Sequence, residues 1–103
     1  MAELKAVAIE IPQDQIVDFC RRFYVSRLAL FGSVLGSDFG SDSDVDVLVA
    51  FEPDAQVGFL MLSRMQRELS QILSHSVDLV PETGLKSLIR DEVISNSQVI
   101  YAA

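Results

Sequence analysis

The run DVDVLVAF, residues 44–51, constrains this chain more than any other stretch. Val45, Val47, Val49 and Phe51 fall on every second position, and Asp44 and Asp46 fall between them. Side chains alternate faces along a β-strand, so the apolar set shares one face and the two carboxylates share the other. The apolar face must pack on helices. A slip of one residue would turn the carboxylates into the core, so burial of the valines fixes the register. Glu52-Pro53 then stops the strand.

The other elements are arranged around this one. Pro12 suits the first turn of a helix running to about residue 23, with Ile16, Phe19 and Phe23 as its buried stripe. Residues 27–31 read as a first strand, ending in Gly32-Ser33. A short helical turn follows Ser33, and then a loop over 37–43 rich in Ser, Gly and Asp. Residues 58–73 read as a helix with Leu62, Met65, Leu69 and Ile72 toward the core. Residues 76–80 read as a third strand, stopped by Pro81. Thr83 is placed to cap a last helix through about residue 94. Residues 99–101 are an extended tail or edge strand. The expected class is α/β (α+β): a small mixed sheet with helices mainly on one face, and the carboxylates at a sheet edge or on the exposed face.

Several residues bring chemistry into this frame. Asp44 and Asp46, about 7 Å apart along one strand face, suit a hard cation such as Mg²⁺, which takes oxygen ligands and keeps several waters. Gly32 lets the backbone approach a phosphate closely. Ser33 adds a hydroxyl, and the N–H groups after it favour an anion. Asp78 lies between Val77 and Leu79 on the third strand and faces away from them. If that strand lies beside the others, Asp78 joins Asp44 and Asp46, as a metal ligand or as a general base. A Gly-Ser turn, ten residues, then Asp-x-Asp is a plausible site for reaction at a nucleoside triphosphate. A calcium loop over Asp42, Asp44 and Asp46 is disfavoured, because the positions that need Gly and Glu hold Val47 and Pro53.

This pattern resembles the nucleotidyltransferase superfamily of DNA polymerase beta type. The likeness is greatest to the minimal nucleotidyltransferases of HEPN–MNT toxin–antitoxin pairs. It spans nearly the whole chain, through DQIVDFCRRF, GS-x10-DxD, LVAFEP, VDLV and IRDEVI…VIYAA. The resemblance implies a palm-like fold, two Mg²⁺ ions on Asp44, Asp46 and Asp78, and a triphosphate held at Gly32 and Ser33. It implies transfer of AMP from ATP to a tyrosine of a partner HEPN ribonuclease, which silences the toxin. The chain departs from many relatives in one respect. Its loop 34–43 has no basic residue, where they often carry arginine at the places of Gly36 and Gly40. That departure leaves open a second reading, a subunit that neutralises its partner by binding alone. Arg64, Arg67, Lys86 or Arg90 could compensate from the helices. A third reading, transfer to a small molecule such as an aminoglycoside, lacks a second substrate-binding domain.

Composition bounds the remainder. The 103 residues suit one minimal domain, 1–103. A net charge of −7, from 15 acidic and 8 basic residues, argues against nucleic acid as a direct partner. It favours a basic protein partner. The single cysteine, Cys20, allows no internal disulfide, which suits the cytoplasm, and reads as a packing residue. Residues 1–12, MAELKAVAIEIP, read as neither a signal peptide nor a membrane span. His75 reads as an exposed turn residue. Met61 and Met65 read as core. Tyr24, Tyr101, Arg64 and Arg67 have ordinary surface or core roles.

Overall fold

A computed structural model describes residues 9–36, 39–40 and 43–103. The expected stretch 1–8, Asp42 and parts of the loop 37–43 lie outside the described residues. Four strands form one sheet: β1 (Val25–Phe31), β2 (Val45–Phe51), β3 (Val77–Pro81) and β4 (Gln98–Ala102). Their order is β3-β2-β1-β4. β1 is antiparallel to both β2 and β4, and β2 is parallel to β3. The sheet is therefore mixed, as expected, and the C-terminal tail is a paired edge strand.

The helices are α1 (Gln13–Arg22), α2 (Phe59–Leu73) and α3 (Ser87–Ser95). Two crossovers join parallel strands, β2-α2-β3 and β3-α3-β4, and they run across the sheet in opposite directions. Such crossovers are almost always right-handed. Opposite directions then put α2 and α3 on opposite faces. α1 packs on α2, β1 and β4, so two helices cover one face and the third crosses the other.

The α1/α2 face holds the main core. Ile16, Phe19, Leu28, Leu30, Val45, Val47, Met65 and Leu69 are all buried there. Phe19 and Phe23 pack ring to ring at 5.0 Å. Cys20 belongs to the same core, and burial pushes its thiol up to about 12, which leaves it an inert packing group. Arg22 ties α1 to α2 by reaching both Asp18 and Glu68. On the opposite face Ala29 and Leu48 are also buried.

Three local expectations are corrected. Thr83 does not cap the last helix: residues Glu82–Gly84 form a 3-10 turn, and α3 begins at Ser87 after Lys86. The reason is long-range. The Arg27 guanidinium clasps the Glu82 carboxylate with bonds of 2.6 to 3.0 Å, so the chain is held at Glu82 before it can wind. Met61 is exposed rather than core, while Met65 is fully buried. His75 is half-buried rather than exposed. Its Nδ1 lies 3.0 Å from the Leu73 carbonyl and its ring packs on Phe39.

Phe19→Ala should cost about 3–5 kcal/mol, a large part of the stability of a domain this size. Arg27→Ala should cost less, about 1–2 kcal/mol, because the pair is partly exposed and only its Glu82 end is well buried. Urea unfolding of both variants measures the order.

Candidate active site

The carboxylates take their places from the core beneath them. Val45, Val47 and Val49 are each almost fully buried, and that turns Asp46 to the opposite face. Parallel pairing sets Val45 against Val77 and Val47 against Leu79, and so sets Asp46 directly beside Asp78. Asp44 sits at the entrance to β2, exposed. The three expected residues thus come to one end of one sheet face. A calcium loop is excluded there, since Val45–Phe51 is strand.

Electrostatics bear this out. Asp46 is half-buried, and its carboxyl is held above the usual carboxylate range. Burial is the main cause, followed by the neighbouring charges of Asp78 and then Asp44. Among the described residues, no hydrogen bond or ion pair from a basic side chain answers these carboxylates. Nor do they close into a cage: among the described residues, no three such groups are arranged to hold a metal ion as they stand. The site is an open cluster of oxygen donors with uncompensated negative charge.

Gly32 joins this cluster. After β1 the chain turns through a 3-10 segment, Gly32–Leu35, closed by the Gly36 N–H on the Ser33 carbonyl at 3.0 Å. Gly32 has φ +77°, and a Cβ there would run into the Asp46 carboxylate, with Cγ only 3.2 Å away. Glycine is needed twice over, for the backbone angle and for the close approach. The turn and the Asp46 carboxylate are therefore packed together.

Two residues that sequence reasoning did not single out hold Asp78. β3 is an edge strand, and its outward N–H groups need partners. The Val77 N–H donates to Ser70 Oγ and the Leu79 N–H to Gln66 Oε1, both at 3.0 Å. These two bonds bracket Asp78 and tie its strand to α2. The signal was present in the sequence as two polar residues four apart, Gln66 and Ser70, on an otherwise core-facing helix. The basic residues that could have compensated for the loop do not reach the cluster. Arg64 and Arg67 are exposed on α2, on the opposite face. Lys86 lies at the start of α3, and Arg90 turns back to donate to the Leu85 carbonyl at 3.0 Å.

A mixed sheet with a glycine turn packed against paired strand carboxylates defines a protein that handles phosphoryl groups. The nucleotidyltransferase domain family matches residues 14–100, and the chain belongs to that family. It is 36% identical over 80 residues to the protein adenylyltransferase MntA of Thermococcus cleftensis, covering 78% of this chain and 77% of that protein. Its fold is similar to that of a toxin–antitoxin complex solved with AMP-PNP (TM-score 0.71, 18% identity, 89% of this chain and 74% of that one). It is also similar to a Shewanella oneidensis complex of tri-AMPylated HEPN toxin with MNT antitoxin (TM-score 0.64, 18% identity, 88% and 70%). Among the described residues no helix is long and apolar enough to cross a membrane.

Three outcomes follow. Asp46→Asn should raise the melting temperature at pH 7. The carboxyl is raised in the folded state, so ionising it opposes folding, and the gain should shrink as the pH falls toward the unfolded value. Gly32→Ala should cost about 1–3 kcal/mol from the strained angle, besides displacing Asp46; urea unfolding checks it. Gln66→Ala should lower kcat for nucleotidyl transfer more than it raises KM, because it removes the acceptor of the Leu79 N–H and so loosens the strand that carries Asp78.

Proposed function

We propose that this chain transfers AMP from ATP to a tyrosine hydroxyl of a partner HEPN-type toxin in the cytoplasm, and so acts as the antitoxin. One observation carries this reading: Asp46 lies beside Asp78 and against the Gly32 turn, with negative charge that no basic group among the described residues answers. The similarity to MntA supports the adenylyl donor and the protein acceptor. The neighbouring complex with AMPylated HEPN toxin supports the partner.

Magnesium fits this donor set. All three groups are carboxylates, the ligand type Mg²⁺ prefers, and Asp46 lies directly beside Asp78. Asp44, Asp46 and Asp78 would hold two ions, which supply neutralisation and polarisation of the phosphoryl oxygens. The chain's own groups do the rest. N–H groups of the Gly32–Leu35 turn and the Ser33 hydroxyl bind the triphosphate and orient it. The acceptor oxygen bonds to the α-phosphorus as the bond to the β-phosphate oxygen breaks, and pyrophosphate leaves. Asp78, exposed beside Asp46, takes the acceptor's proton and passes it to water.

A binding-only antitoxin is the second reading, favoured by the absence of basic side chains at the described part of the site. Intact masses separate the two. With Mg²⁺, ATP and the neighbouring HEPN protein, the toxin should gain AMP units, and Asp44→Asn should abolish the gain while leaving the complex intact. A tight complex with no mass change in the unaltered protein would favour masking. Magnesium alone should raise the melting temperature of the unaltered protein and not of Asp46→Asn, a readout independent of turnover.

A further inference from the structure

The end of the sheet remote from the carboxylates carries a second surface with its own chemistry. Val25 pairs with Phe51 there, whereas Phe31 pairs with Asp46 at the other end. Asp46 and Phe51 lie about 17 Å apart along β2, at ~3.3 Å per residue. A hollow of about 390 Å³ opens at the remote end, with Tyr24, Glu52, Asp54, Val57 and Met61 in its wall. Phe59 and Leu60 precede Met61 in the first turn of α2, and they are 80% and 84% exposed. Tyr24 is 62% exposed. No step of the proposed reaction uses any of these residues.

We propose that this surface is a foothold for the partner toxin, and that it takes a segment of that protein in which a lysine or arginine stands among apolar side chains. The inference rests on the antitoxin reading and deepens it, by giving the partner a contact separate from the carboxylate end.

Exposure is the first argument. Large apolar side chains grouped on a surface and rimmed by polar ones mark interaction sites, and aromatic and Met side chains are enriched at the centres of interfaces. Tyr24 adds strain to exposure. Its φ is +57°, in the left-handed region that a bulky side chain avoids. The Glu52 N–H donates to the Tyr24 carbonyl at 2.8 Å and holds the turn. Glycine would meet that backbone angle without strain, so the fold alone gives no reason for an aromatic ring there.

Charge is the second argument, and it selects the occupant. Glu52 and Asp54 are exposed on the hollow, and no basic side chain lines it. Among the described residues neither carboxylate has an ion-pair partner. An ammonium or guanidinium group is attracted both by these carboxylates and by the face of the Tyr24 ring. A second copy of the chain is disfavoured, because an isologous contact would join two acidic rims on chains that each carry a net charge of −7. Anionic lipid and nucleic acid are repelled for the same reason. A foothold at this end would hold the toxin while its tyrosine reaches the carboxylate end, and would serve equally if binding alone neutralised it.

Calorimetry on the intact chain with the partner HEPN-type protein, without nucleotide, tests this. Tyr24→Gly should weaken binding at least about tenfold and leave the melting temperature no lower, which separates docking from folding. Glu52→Lys combined with Asp54→Lys should also weaken binding at least about tenfold. Leu88→Ser removes an exposed apolar side chain on α3 instead, and should leave binding within about twofold. The proposal is overturned if either of the first two variants falls short of its loss, or if Leu88→Ser loses as much as they do. It is overturned in favour of a second copy if the chain alone sediments as a dimer that Tyr24→Gly dissociates. Each of these outcomes leaves the antitoxin reading standing. If the unaltered protein does not bind the toxin, that reading fails and the foothold with it.

Discussion

The register of β2 is the constraint on which the rest depends. Val45, Val47 and Val49 are almost wholly buried on one face, so Asp46 is held on the other, where it packs against Gly32. The same burial pairs Val45 with Val77 and Val47 with Leu79, which brings Asp78 beside Asp46. Two carboxylates on neighbouring strands repel, and nothing local would place them together. The apolar core beneath them does so, and its burial offsets their repulsion. The stability of this sheet and the charge concentration of the site are thus two faces of one strand.

The connections then decide what can be built around that charge. Since β2-α2-β3 and β3-α3-β4 run in opposite directions, α2 fills the core face and α3 crosses the carboxylate face. The beginning of α3 is fixed by the clasp of Arg27 on Glu82, and its end reaches Gly32 and Phe31. Ala29 and Leu48 are buried on the carboxylate face, so that face is divided into a buried apolar half and an open acidic half.

Much of this was legible in the sequence. The alternation of residues 44–51 is strong enough to specify the strand, the face and the carboxylate pair. Ile16, Phe19 and Phe23 mark α1 with equal clarity. The start of α3 was not legible. Thr83 has cap chemistry, and only the pairing of Glu82 with Arg27, 55 residues away, holds that turn out of the helix. Met61 and Met65 look alike in the sequence, yet α2 begins at the end of the domain, so its first turn overhangs the core and its second enters it. Asp78 could be nominated from its flanking apolar residues. Gln66 and Ser70 show in the sequence only as two polar residues four apart, and their role in holding that strand exists only once β3 is known to be an edge.

The proposed function sets this site an electrostatic problem, because a polyphosphate would have to approach a cluster of carboxylates. A protein with a net charge of −7 and no basic side chain among the described residues of its site cannot gather a triphosphate by long-range attraction. On the proposed reading it would rely on short-range order instead: backbone donors of the Gly32–Leu35 turn and a cation held by the carboxylates. On this view the loop without arginine shifts binding energy from charge to fit.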